Sequence, residues 1–165
     1  MKLVEETSAI LRKATDPWDF SNPPTDPVAL VRDMWDVMMT NRGVGLAAPQ
    51  VGLPYRVFVM GDSSGYREAC FNPEIINQSE VCLSGDEGCL SFPNLSLTIP
   101  RPIFIDVRFF NEKGEMVVKR LDKLWARCYQ HELDHLNGVV FVDRISRLKL
   151  QMAMNKRNKM KRKAV

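Results

Sequence analysis

The chain has 165 residues, 45% of them hydrophobic and 26% charged, with a formal net charge of +3 that divides into a body of −6 and, from Arg144 onward, nine basic residues with no acidic one. That composition excludes a disordered or fibrous protein, and the length is enough to bury roughly two thirds of the unfolded surface in one core without staples. No apolar run approaches the roughly 20 residues of a membrane span; the opening Met1-Lys2-Leu3-Val4-Glu5-Glu6 lacks a secretion signal; and Cys70, Cys82, Cys89 and Cys128 form no CxxC pair, which favours free thiols in a reducing cytoplasm over a disulfide framework.

Residues 1–24 read as an N-terminal strand or turn followed by an irregular loop, because Pro17, Pro23 and Pro24 break any regular element. Asp26-Pro27 is a helix start: Asp accepts from a free backbone N–H, and Pro sits where its missing N–H costs nothing. Leu30, Val31, Met34, Trp35, Val37 and Met38 then form an apolar stripe at helical spacing as far as about Thr40. Residues 43–52 are small and apolar except for Gln50, so another backbone or a ligand can approach closely there. A strand follows over 56–60, and residues 69–71 and 75–83 read as short strands. Gly85 and Gly88 bracket Asp86 and Glu87 just before Cys89.

Ile103, Ile105, Val107 and Phe109 alternate as a half-buried strand, and Asn111-Glu112-Lys113-Gly114 turns it into a partner at 116–118. Asp122 is placed to cap a helix over 123–137, with Gly138 placed to end it. Leu124, Cys128, His131 and His135 fall on one stripe of that helix. Residues 139–142 read as extended, and Ser146 as the cap of a last helix through Leu148, Met152 and Met154 into the basic tail. With no internal repeat and no break in composition, the expectation is a single catalytic domain over 1–165, with a basic C-terminal helix or tail from about 146. The class is α+β, with mainly antiparallel sheets packed around a central metal-binding helix.

That helix carries both histidines of the chain in the order His131-Glu132-Leu133-Asp134-His135. The spacing puts two imidazoles one turn apart on one face, suited to a divalent metal, with Glu132 near enough to reach a water there. A catalytic site with an open position takes three protein ligands. Cys128 is a poor third, since seven residues, about 10 Å of rise, separate it from His135. Downstream the only acidic residue beyond Asp134 is Asp143. Cys89, flanked by Gly88, is the leading candidate by elimination, whereas Cys70 and Cys82 read as small buried thiols.

Three segments, Gly43-Val44-Gly45-Leu46-Ala47-Ala48-Pro49-Gln50, Glu87-Gly88-Cys89-Leu90-Ser91 and Gln130-His131-Glu132-Leu133-Asp134-His135, together resemble the signature motifs of the peptide deformylases, in order and at similar separations. The similarity runs from about residue 26 to 149. It implies that Cys89, His131 and His135 hold one metal, natively Fe2+ and replaceable by Zn2+, Ni2+ or Co2+. It implies that Glu132 moves the proton of the attacking water to the leaving amine, and that Gln50 and the backbone N–H of Leu90 stabilise the oxyanion. The substrate would be an N-formylmethionyl nascent peptide and the product formate. Val44 and Gly45 would bind it through backbone, with Leu90, Leu124, Cys128 and His131 lining the methionine pocket.

Partners on this reading are nascent chains and, through the basic tail, the ribosome, with neither membrane nor DNA. The chain departs from the resemblance at Ser96, where many members carry Arg, and is only loosely similar before Asp26. Two alternatives stay open on sequence alone. One is a zincin-like metallopeptidase, which needs a third ligand downstream of His135. The other is a basic RNA- or ribosome-binding protein with a structural zinc, which needs a closed four-ligand site such as Cys128 would complete.

Overall fold

Strand β2 (Val57–Gly61) is buried at every position, which is why its sequence is an unbroken apolar run instead of an alternating one. In the computed structural model, which describes residues 1–163, β2 lies second in a five-stranded antiparallel sheet. The order is β1 (Gly45–Ala47), β2, β3 (Arg67–Gln78), β6 (Phe104–Phe110) and β7 (Met116–Asp122). One face of β2, Val57 and Val59, packs with Leu30, Met34 and Met38 of helix α1 (Pro27–Thr40). The other, Phe58 and Met60, packs with Ala126, Cys128 and Tyr129 of helix α2 (Lys123–Leu136).

Asp26 accepts the Val28 N–H at 3.1 Å, so α1 begins as expected. Tyr129 anchors α2: its ring meets Phe58 edge-on with centroids 5.0 Å apart, and its hydroxyl donates to the Glu74 carbonyl at 3.2 Å. Burying such a ring stabilises by about 2 kcal/mol, before the edge-to-face term. Gly138 ends α2 at φ +73°, in a place where a Cβ would stand 2.9 Å from the Lys13 backbone.

Strands β4 (Cys82–Cys89) and β5 (Phe92–Pro102) form a separate antiparallel ribbon. Leu95, Leu97 and Ile99 of β5 bury a third cluster with Leu11 and Phe141, against which Leu150, Ala153 and Met154 of helix α3 (Arg147–Lys163) pack. The architecture is therefore α+β with antiparallel sheets, as expected. No helix among the described residues is long and apolar enough to cross a membrane.

Several local expectations are corrected. Of the strand or turn expected in residues 1–24 it is the turn that forms, a 3-10 turn at Ala9–Arg12 that buries Leu11, and the segment is otherwise tied down by tertiary bonds such as Val4 N–H to the Gln50 carbonyl at 2.9 Å. Residues 69–71 belong to one long β3, in which register shifts after Phe71 and after Ile75 absorb Asn72 at φ +49° and Pro73. The chain leaves that strand at Ser79, so the stretch 75–83 is split between β3 and β4. Residues 92–102, unassigned above, form β5, whose buried alternation is disguised by Arg101 and three prolines.

Residues 139–142 are extended only in part: Val140 is extended, but Phe141–Arg144 wind into a 3-10 turn with Asp143 accepting the Val140 N–H at 3.1 Å. Asp122 makes no side-chain cap; α2 starts straight off β7 with Lys123 at φ +50°. Ser146 is placed as foreseen, accepting from Lys149 N–H at 3.4 Å. The basic tail is not all solvated: Arg144 pairs with Asp134 and Arg157 forks onto Glu6. Ala164 and Val165, at its end, lie outside the described residues.

Candidate metal centre and cleft

Cys89 closes β4 and the two histidines lie on α2, yet a sulfur of the first and ring nitrogens of the other two all lie within 4.8 Å of one another. Cys89 Sγ is 3.3 Å from His135 Nε2. His131 Nδ1 lies 3.0 Å from Glu87 Oε2, so Nδ1–H donates there and Nε2 is left for the centre. His135 Nδ1 is buried with no hydrogen-bond partner among the described residues. A soft thiolate and two imidazoles suit a first-row divalent cation, and three ligands leave a position open. This donor set fits such an ion.

Cys128 is not one of the three. Its Sγ donates to the Val44 carbonyl at 3.3 Å, and burial pushes the thiol's pKa well up. Asp143, the remaining downstream candidate, is bonded to Arg12 and the Val140 N–H instead. Among the described residues neither the closed four-ligand site nor the zincin pattern is therefore formed.

Glu132 points into the cleft with Oε2 buried and unpartnered. A Cβ on Gly45 would stand 2.3 Å from Glu132 Oε1 and 2.8 Å from Cys128 Sγ, so any side chain there would push both groups from their places. Burial pushes the Glu132 carboxyl up to about 7, against the pull of His131, which brings a proton acceptor near neutrality. Gln50 is buried and oriented: its Oε1 accepts the Ala47 N–H at 2.8 Å, while Nε2 donates to Ser91 Oγ at 3.2 Å and faces Cys89 Sγ at 3.5 Å.

Behind these three candidate ligands lies a buried ionic network. Glu87 accepts from Arg101 Nε and Nη2 at 2.8 and 2.9 Å and from Arg127 Nη1 at 2.8 Å, besides His131. Arg101 also donates to Asp134 at 2.7 Å, which pairs in turn with Arg144. Burial alone would raise the Glu87 carboxyl, but the bonds from Arg101 and His131 outweigh it and hold it at about 2. Burial disfavours charge on both imidazoles. At His131 the bonds to Cys89 and Glu87 overcome it, so a proton competes with a cation for the ring, whereas burial and the neighbouring His131 keep His135 neutral.

A cleft of about 490 Å³ opens onto this centre and is lined by Val44, Gly45, Gln50, Cys89, Leu90, Leu124, Cys128, His131 and Glu132, all singled out from the sequence. His135 stands behind that wall, 1% exposed. Ser96 pairs with Gly88 but faces solvent; the cations on the cleft wall are Arg42 and Arg127. Sequence reasoning assigned no role to Glu87, Arg101, Arg127 or Asp134. Arg101 holds the fourth inward position of the buried Leu95, Leu97, Ile99 alternation, where its charge disguises the period.

The chain matches the family model described as "Polypeptide deformylase" over residues 1–151. It is 44% identical over 141 residues to a peptide deformylase of Caulobacter vibrioides, covering 82% of this chain and 81% of that one. It is 41% identical over 143 residues to one of Rhizorhabdus wittichii, with 81% of each chain covered. Among solved structures it resembles a peptide deformylase of Legionella pneumophila at TM-score 0.87 and 35% identity, over 97% of this chain and 94% of that one. It resembles one of Synechococcus elongatus in complex with actinonin at TM-score 0.87 and 34% identity, over 94% and 85%.

Because the Glu87 carboxyl falls from 4.5 unfolded to about 2 folded, its contribution is present above pH 4.5 and is lost as pH falls toward 2. The linkage amounts to about 3 kcal/mol. Denaturant unfolding at pH 6 and pH 3 should therefore show a larger loss of stability for the natural chain than for Glu87→Gln, the difference being the Glu87 share. Equal pH dependence in the two would contradict the assignment.

Proposed function

The chain belongs to the peptide deformylase family, whose activity is removal of the N-formyl group from newly made peptides, and from that premise we propose how its own residues do this. The observation that carries the reading is the convergence of Cys89, His131 and His135 beside Glu132, whose buried Oε2 has no hydrogen-bond partner among the described residues. We assign those three as ligands of one divalent cation, Fe2+ in the cell, with Zn2+, Ni2+ or Co2+ able to replace it. When bound, the cation supplies Lewis acidity, bringing the pKa of water down toward about 7 and polarising a carbonyl oxygen.

Glu132 takes the proton of the attacking water as its oxygen adds to the formyl carbon. It returns that proton to the amine as the C–N bond breaks, so formate and a free amino terminus leave. Gln50 Nε2, fixed by the Ala47 N–H on the other end of its amide, donates to the developing oxyanion together with the Leu90 N–H. β1 pairs with β2 along one edge only, and its other edge, at Val44 and Gly45, receives the substrate backbone as an added strand. The methionine side chain enters between Leu90, Leu124, Cys128 and His131.

The whole chain acts as one catalytic domain in the cytoplasm, with α3 as its basic appendage. Leu150, Ala153, Met154 and Arg157 dock α3, leaving Lys156, Lys159 and Arg162 exposed to contact ribosomal RNA.

With Fe2+ or Ni2+ loaded anaerobically, the chain should release formate from formyl-Met-Ala-Ser. Glu132→Gln should retain metal and lose about 10²- to 10⁴-fold in kcat; near-natural turnover would remove Glu132 from its role. Reversing Lys156, Lys159 and Arg162 to Glu should abolish co-sedimentation with ribosomes at low salt and spare activity on the tripeptide. Unchanged co-sedimentation would end the ribosome proposal.

A further inference from the structure

Arg127 is the one side chain of the cleft wall that grips both strands of the β4–β5 ribbon from α2. Its Nη2 donates to the Leu83 carbonyl at 2.6 Å, and its Nη1 to the Ile99 carbonyl and Glu87 Oε1 at 2.8 Å and to the Gly85 carbonyl at 3.3 Å. The guanidinium lies flat against Gly85, where a Cβ would stand 3.0 Å from its Cζ and Nη2. Gly85 follows Leu83 and precedes Glu87 on the same face of β4, so its missing side chain is the space that Arg127 fills. Four residues further along β4 is Cys89, and one turn along α2 from Arg127 is His131.

We propose that Arg127 is a positioning residue that locks β4 against α2, and so fixes both the seat of Cys89 relative to the two histidines and the width of the methionine pocket. Its fork has its donors turned to the ribbon, which leaves the Arg127 stem beside Leu124 and Cys128 as a fixed wall. Lysine cannot replace it, because one ammonium cannot reach acceptors spread over Leu83, Glu87 and Ile99. The pocket half of this inference rests on the deformylase reading; the metal half does not.

The test uses the Zn2+-loaded full chain with Arg127→Met, Gly85→Ala and the double variant, measuring zinc loss to a chelator and the ratio of kcat/KM for formyl-Met-Ala-Ser over formyl-Leu-Ala-Ser. Each single variant should lose zinc about tenfold faster or more, and the Met-over-Leu ratio should fall. The double variant should be no worse than the poorer single one, since one change removes the guanidinium and the other displaces it from the same seat. A lowered Tm with natural zinc retention and natural selectivity in both single variants would overturn the proposal. If Arg127→Met does not fold, Gly85→Ala decides alone by the same two readouts. A natural chain that deformylates neither peptide would sink the deformylase reading instead, with zinc loss still judging the clamp.

Discussion

The carboxylate of Glu87 is a buried anion with four hydrogen bonds, and the geometry of the site depends on them. Unpaired, it would carry a large burial penalty; paired, it draws Arg101, Arg127 and His131 to one point. Arg101 comes from β5 and the other two from α2, so one side chain of β4 joins the ribbon to the helix. Removing one member of such a set costs about 3–5 kcal/mol, because a charge is left buried without compensation. Asp134 extends the arrangement from Arg101 to Arg144, so the last turn of α2 is held as well.

Once β4 and α2 are joined, the spacing along α2 determines the chemistry. His131 and His135 share a face one turn apart, and Glu132, the next residue round the helix, turns toward β1. Strand β1 lies there with Gly45, which has no side chain to meet Glu132 Oε1. The buried Glu132 carboxyl, raised by that burial, thus lies beside the open edge of β1. The same helix packs Tyr129 into the sheet on its other side, so the reactive face is carried on a rigid support.

Much of this was legible in the residues. The His-Glu-x-x-His spacing on a helix that Gly138 ends, the side-chain-poor run around Gln50, and Cys89 between glycines and Leu90 each signal chemistry through local pattern. The helix α1, the β6–β7 hairpin and the end of α2 at Gly138 follow from capping, alternation and turn residues. What stayed hidden depends on partners far away in sequence. Strand β5 buries alternate residues, but Pro93, Pro100 and Pro102 mask its period, and Arg101 interrupts it with a charge that only Glu87 and Asp134 make tolerable. Glu87 looked like a flanking residue because its neighbours are 14 and more positions away. The N-terminal segment is held by Leu11 and scattered bonds rather than by a ladder, so no periodicity marks it.

The central claim is that a thiolate of the ribbon and two imidazoles of the helix meet on a single ion. X-ray absorption at the zinc edge of the Zn2+-loaded chain tests it most directly. The account predicts one sulfur at about 2.3 Å and two imidazole nitrogens at about 2.0–2.1 Å, with the remaining position filled by a light atom. A first shell without sulfur, or with two sulfurs, would contradict it.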